Sequence, residues 1–98
     1  MIIVLVKYVC KSNCRELFLN AIKEKKIDSL SRAETGNYRY EYAYSISDEN
    51  TILLTELWED RKAVTAHGQT EHYKELGKLK SAYVENTEIF RYEGSPIS

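Results

Sequence analysis

The chain has 98 residues, of which 43% are hydrophobic and 30% charged, with a formal net charge of −1. That length suits one domain, and the balanced charge lacks the positive footprint that nucleic-acid binding needs, since "KEKK" at 23–26 reads as a solvated helix face. No stretch reaches the roughly 18 apolar residues of a membrane span.

The opening "MIIVLVKYV" has neither a basic leader region nor a small-residue cleavage site. It reads as a strand rather than a signal peptide, which makes the cytoplasm the expected location. Residues 2–9 are apolar in both side-chain phases, Ile3 and Leu5 on one, Val4 and Val6 on the other. A strand of that kind is covered on both faces. Cys10 and Cys14 suit free thiols in a reducing compartment, and no Cys or His near them completes a zinc site.

Ser12 or Asn13 is the expected cap of a helix running through "CRELFLNAIKEKKIDSLSRAE". Phe18, Ala21, Ile22 and Lys25 share one stripe, while Ile27 and Leu30 leave it, so the second half bends or restarts. Gly36 is its stop signal. The strand that follows, about 37–46, contains "YRYEYAY": Tyr38, Tyr40, Tyr42 and Tyr44 fall on one face by strand alternation. Tyrosine rings suit a half-buried sheet, and their hydroxyls need partners when buried. The row is expected to be a core face whose polar tips suit an oxygen-rich ligand.

"SDEN" at 47–50 turns the chain into a third strand, "TILLTELWE", in which Leu53 and Leu57 face away from Leu54, Glu56 and Trp58. Asp60 and Thr70 are expected caps, with Gly68 interrupting the helical stretch between them. "NTEIFRYE" at 86–93 is the last strand. The order strand, helix, strand, strand, helix, strand is the split βαβ, ferredoxin-like plan of an α+β domain. It assigns residues 1–93 to one domain and 94–98 to a disordered tail. Helices on one face leave the other bare, yet both phases of the first strand are apolar. The simplest cover is a second copy of the chain, sheet against sheet.

Two stretches carry a family resemblance that spans roughly residues 2–93. "SRAETGNYRYEY" is similar to a Ser-Arg-x-Glu-Pro-Gly-x-x-x-Tyr junction, with Thr35 in place of the proline. "ELWEDRKAVTAHGQTEHYKEL" is similar to a segment spaced as Glu56, Trp58, Ala63, His67, His72 and Tyr73 are here. The chain thus resembles the antibiotic biosynthesis monooxygenase family, which includes quinol monooxygenases. The resemblance implies a ferredoxin-like βαββαβ sandwich paired into a dimeric α+β barrel. It also implies oxidation of a quinol-like or other electron-rich phenol by O2, with no cofactor and no metal.

On that reading His67 is the catalytic base or oxyanion donor, and Tyr40, Glu56, Trp58 and His72 bind substrate. Each has a structural reading beside it: a helix-end histidine for His67, core packing for Trp58, an ion pair for Glu56. A spacing of five does not stack His67 and His72 on one helix face, which argues against joint metal binding unless Gly68 breaks the helix. Leu54 and Val64 stand where a polyketide-oxidising branch has Asn and Tyr. Lys7 and Tyr8 stand where a haem-degrading branch has Asn. Two other functions fit the same resemblance. One is an isomerase or catabolic enzyme for a small phosphorylated signalling sugar, suggested by "HGQTEHY". The other is a non-catalytic ligand-binding module.

Overall fold

Every expected strand forms, and each expected helix splits in two. A computed structural model describes all 98 residues, as β1 (Ile2–Cys10), α1 (Arg15–Glu24), α2 (Ile27–Arg32), β2 (Asn37–Tyr44), β3 (Thr51–Trp58), α3 (Arg61–His67), α4 (Glu71–Tyr83) and β4 (Val84–Glu93). The first split falls at Lys26, whose left-handed backbone (φ 58°) ends one helix and restarts the next. The restart turns Ile27 fully into the core and leaves Leu30 at the surface. The second split follows His67. Asp60 Oδ1 accepts from the Ala63 amide at 2.9 Å to start α3, and Thr70 Oγ1 accepts from the Tyr73 amide at 3.2 Å to start α4.

The first helix departs from expectation at its start. Its N-cap is Cys14, without a side-chain hydrogen bond, because Asn13 adopts a left-handed conformation (φ 63°) that a capping residue does not use.

The four strands are antiparallel in the order β2-β3-β1-β4, with all four helices on one face. This is the ferredoxin-like α+β arrangement. The core lies between sheet and helices, with Phe18, Ile22, Ile27, Ile52, Leu54 and Trp58 essentially without solvent contact. The tyrosine row is shorter than alternation predicts. A register shift between Asn37 and Arg39 takes Tyr38 out of line, and its side chain is exposed. Tyr40 and Tyr42 face the core with hydroxyls 3.4 Å apart, and Tyr44 lies under the Arg15 guanidinium at 4.0 Å. Beyond β4, the Gly94 amide donates to Met1 O, and residues 94–98 carry no helix or strand.

The sheet's outer face is uncovered. The register aligns Ile3 with Leu57 and Tyr92, and Leu5 with Phe90. Leu5, Leu53, Phe90 and Tyr92 are each 40–53% exposed there. No helix is long and apolar enough to cross a membrane.

Gly36 closes the turn between α2 and β2 at φ 85°, and a Cβ there would stand 2.9 Å from the Ala63 Cβ. Its carbonyl also accepts from the Glu59 amide at 2.7 Å. Gly36→Ala should therefore combine backbone strain with a clash and destabilise the fold by about 2–3 kcal/mol. Urea unfolding would read this as a lowered midpoint at unchanged slope.

Candidate active site

The inner face of the sheet carries one row of side chains across all four strands: Tyr40, Glu56, Val4 and Arg91. Val6 and Ile89 lie in the next row, and Tyr8 in the one beyond. The helices pack chiefly over β2, β3 and β1, so a cavity of about 250 Å³ opens beside β4. Tyr73, Leu76, Gly77 and Lys80 close it from α4, a helical stripe of the i, i+3, i+4, i+7 kind. Val64 and His67 close it from α3.

His67 is buried, and its ring sits in an aromatic box. The Trp58, Tyr73 and Tyr40 ring centroids lie 4.7, 5.1 and 5.6 Å away. Its Nδ1 is 2.6 Å from Glu34 Oε2. An ionised carboxylate only accepts, so the bridging proton sits on Nδ1, and in the neutral imidazole Nε2 is then the nitrogen with the lone pair. His72 Nε2 lies 2.8 Å from the same oxygen and donates to it as well.

Glu56 forms the floor beside His67. The Trp58 indole donates to its Oε1 at 2.9 Å, yet burial outweighs that bond and pushes the carboxyl above the usual glutamate range. Burial raises the Tyr8, Tyr40 and Tyr42 phenols too, so all three stay protonated donors. Lys80 and Arg91 flank the opening along β4, and neither has a carboxylate within 4.0 Å. Partial burial lowers the Lys80 ammonium, which sits over the Tyr8 ring at 5.6 Å.

Of the residues singled out from sequence, Tyr40, Glu56 and His67 line the cavity. Trp58 and His72 do not: Trp58 bonds Glu56, which does, and His72 is linked to His67 through Glu34, which lies behind the wall. The spacing argument against a meeting of the two histidines does not hold. The break at Gly68 puts them on separate helices, and Glu34, His67 and His72 present ligand-type atoms within 4.8 Å of one another. Sequence reasoning assigned no site role to Tyr8 or Tyr73, both noted there only for the resemblance, and none to Glu34, Lys80 or Arg91. Glu34 stands inside "SRAETG", where its place in the resembled junction was the available signal. The helical stripe through Lys80 was the other.

Residues 1–78 match the profile of the family described as antibiotic biosynthesis monooxygenase. The chain is 36% identical over 73 residues to "Putative monooxygenase YcnE" of Bacillus subtilis (strain 168), a match covering 74% of this chain and 75% of that one. Its fold is similar to that of "Putative antibiotic biosynthesis monooxygenase from Nitrosomonas europaea", with TM-score 0.86 and 26% identity over 96% of this chain and 98% of the other. A structure from Deinococcus radiodurans, also titled a putative antibiotic biosynthesis monooxygenase, gives TM-score 0.88 at 18% identity and 100% and 96% coverage, a likeness of fold.

The Glu56 carboxyl gives a pH signature. Its folded form holds a proton where the unfolded form has lost it, so this group's stabilising effect is complete below the ordinary glutamate range. It declines as pH rises through that range toward the raised value. Glu56→Gln keeps an acceptor for the Trp58 indole and removes the titration. The variant should gain stability over the parent at neutral pH and lose that advantage near pH 4, as thermal unfolding across pH would read.

Proposed function

We propose that this chain, which belongs to the antibiotic biosynthesis monooxygenase family, oxidises a quinol-like or other electron-rich phenol with O2 and no bound cofactor, using His67 as base. The observation that carries this reading is His67 on the wall of a cavity lined by phenols and aliphatic groups, with Glu34 held 2.6 Å from its Nδ1 behind that wall. Glu34 fixes the tautomer and leaves Nε2 to take a proton from a substrate hydroxyl. The resulting phenolate is electron-rich enough to reduce O2 directly. For a quinol the balance is one O2 consumed, one oxygen atom placed on the ring as hydroxyquinone, and the other released as water. The substrate itself supplies the electrons.

Tyr8 and Tyr40 are neutral donors suited to the oxyanion that develops during this sequence, and the upward shift of Glu56 favours its protonated, donating form beside them. Lys80 and Arg91 add positive potential at the opening, which favours the phenolate. Trp58 and His72 act by holding Glu56 and Glu34 in place. A second reading draws on the same two cations: an isomerase for a phosphorylated sugar would use them to hold the phosphate. Turnover of a sugar phosphate with no oxygen consumed would favour it.

The bare outer face of the sheet is the proposed homodimer interface. Covering on the order of 600 Å² of apolar surface per subunit would contribute a gross ~15 kcal/mol. Association and side-chain ordering oppose this by about 4–15 kcal/mol.

Oxygen uptake with a panel of quinols tests the activity. His67→Ala should lower kcat/KM by about 10²–10³-fold, the scale of a lost general base. Glu34→Gln should cost less, roughly tenfold, because the ring remains but its tautomer is no longer enforced. Uptake that is unchanged in His67→Ala removes His67 from the mechanism. Sedimentation should show a species near twice the 11.4 kDa chain mass, and a folded monomer at micromolar concentration would overturn the interface.

A further inference from the structure

The chain has two histidines, from two helices, and both turn a ring nitrogen toward one carboxylate oxygen. His67 Nδ1 and His72 Nε2 lie 2.6 and 2.8 Å from Glu34 Oε2, and the three atoms fall within 4.8 Å of one another. Their side chains are only 6–14% exposed. Two imidazoles and a carboxylate are the donor set of a tetrahedral zinc-type site whose fourth position is open to water.

We propose that Glu34, His67 and His72 form a binding site for a borderline divalent ion of the Zn2+ or Co2+ type, which competes with the protons that now bridge the three. Bonds of about 2.0–2.1 Å to a central ion would spread the ligand atoms to about 3.3 Å apart. The two histidine–carboxylate distances would open by about half an ångström, while the two ring nitrogens, now within 4.8 Å of each other, settle at the same spacing. Two of the three ligands have room to make this adjustment. Glu34 lies in the turn after α2, His72 in the first turn of α4, and both keep some contact with solvent. Each ligand must lose or give up its shared proton, so uptake weakens as pH falls.

The ion sits behind His67 and not in the cavity, because neither Glu34 nor His72 lines that space. It therefore acts on His67 alone. A metal on Nδ1 leaves the ring's one remaining proton on Nε2, which turns the proposed base into a donor. The metal-bound form is thus the blocked form. This consequence rests on the function proposed above; the binding itself does not.

The test uses untagged full-length protein with Cys10 and Cys14 replaced by serine, so that no thiol contributes. Zn2+ is titrated by calorimetry, and Co2+ by the visible absorption of a tetrahedral complex. One ion per chain is expected, with at least tenfold weaker binding in His72→Gln and in Glu34→Gln, each checked for folding by circular dichroism. Ring 15N shifts of the two histidines should move together at one equivalent. Absence of saturable uptake below about 0.1 mM, or uptake that is unchanged in both folded variants, would overturn the site. If quinol oxidation is present, stoichiometric Zn2+ should abolish it and a chelator should restore it. Binding that leaves oxidation untouched would overturn the blocking role. Binding without any quinol oxidation would overturn the proposed activity and keep the site.

Discussion

One carboxylate oxygen ties three separate parts of this small fold together. Glu34 Oε2 belongs to the turn after α2 and accepts from a histidine at the end of α3 and from another at the start of α4. Charge-assisted bonds of this kind contribute about 1.5–3 kcal/mol each when well made. Much of that offsets the cost of holding a mostly buried carboxylate. Their larger effect is geometric. They fix the angle at which α4 leaves α3, and they fix which nitrogen of His67 is free. The turn that carries Glu34 is itself tightly made: its amide donates to Ser31 O, its carbonyl accepts from the Asn37 amide, and Gly36 supplies the left-handed residue that lets β2 begin at once.

The tyrosines complete that arrangement from the sheet side. A row of four phenols on one face is what strand alternation gives, but a bulge at Tyr38 trims the row to three. Those three then divide by depth. Tyr40 reaches the cavity, Tyr42 bonds Tyr40 from within the packing, and Tyr44 meets Arg15 at the edge. The hydroxyls supply partners for one another where water is absent, so the strand is a packing surface and a polar lining at once. An aliphatic strand would fill the same volume without donors. A strand of shorter polar residues would not press His67 into its box.

Strand positions and the caps of α3 and α4 were legible in the sequence, because each depends on residues close in the chain. Alternation, an Asp or Thr before a helix, and a glycine after one are local signals. The two helix splits were half legible. Ile27 and Leu30 falling off their stripe marked the first, but only the left-handed Lys26 explains how the core recovers Ile27. The site was less legible, because its members meet across long separations. Glu34 and His67 are 33 positions apart and Glu34 and His72 are 38, and nothing in local spacing foretells a shared oxygen. A spacing of five would keep the two histidines apart on an unbroken helix, and the break at Gly68, the exception the sequence itself offered, is what lets them meet. Trp58 carries both of its readings. Its type and place suggest a pocket wall, but a full indole with no solvent contact is held behind Glu56, whose carboxyl it orients.

The location of the cavity follows from the mismatch between layers. Four strands make a sheet wider than the helices can cover, and β4 is the strand left without them. Its inner-facing Ile89 and Arg91 remain exposed while the inner residues of β1 and β3 are buried. On the β2 side the same helices bury Phe18, Ile22 and Ile27 completely, which gives the packed wall. The boundary between covered and uncovered sheet runs beside β1, and the groups of altered ionisation line its covered side: Glu56 on β3, its carboxyl raised by burial, the raised phenols of Tyr8 on β1 and Tyr40 on β2, and a lowered Lys80 ammonium on α4. Deeper in, such groups would have no access to a ligand. Farther out, water would restore their ordinary behaviour. A half-covered sheet thus provides both conditions side by side, and this is why so small a domain holds a polar-lined pocket beside a well-packed core.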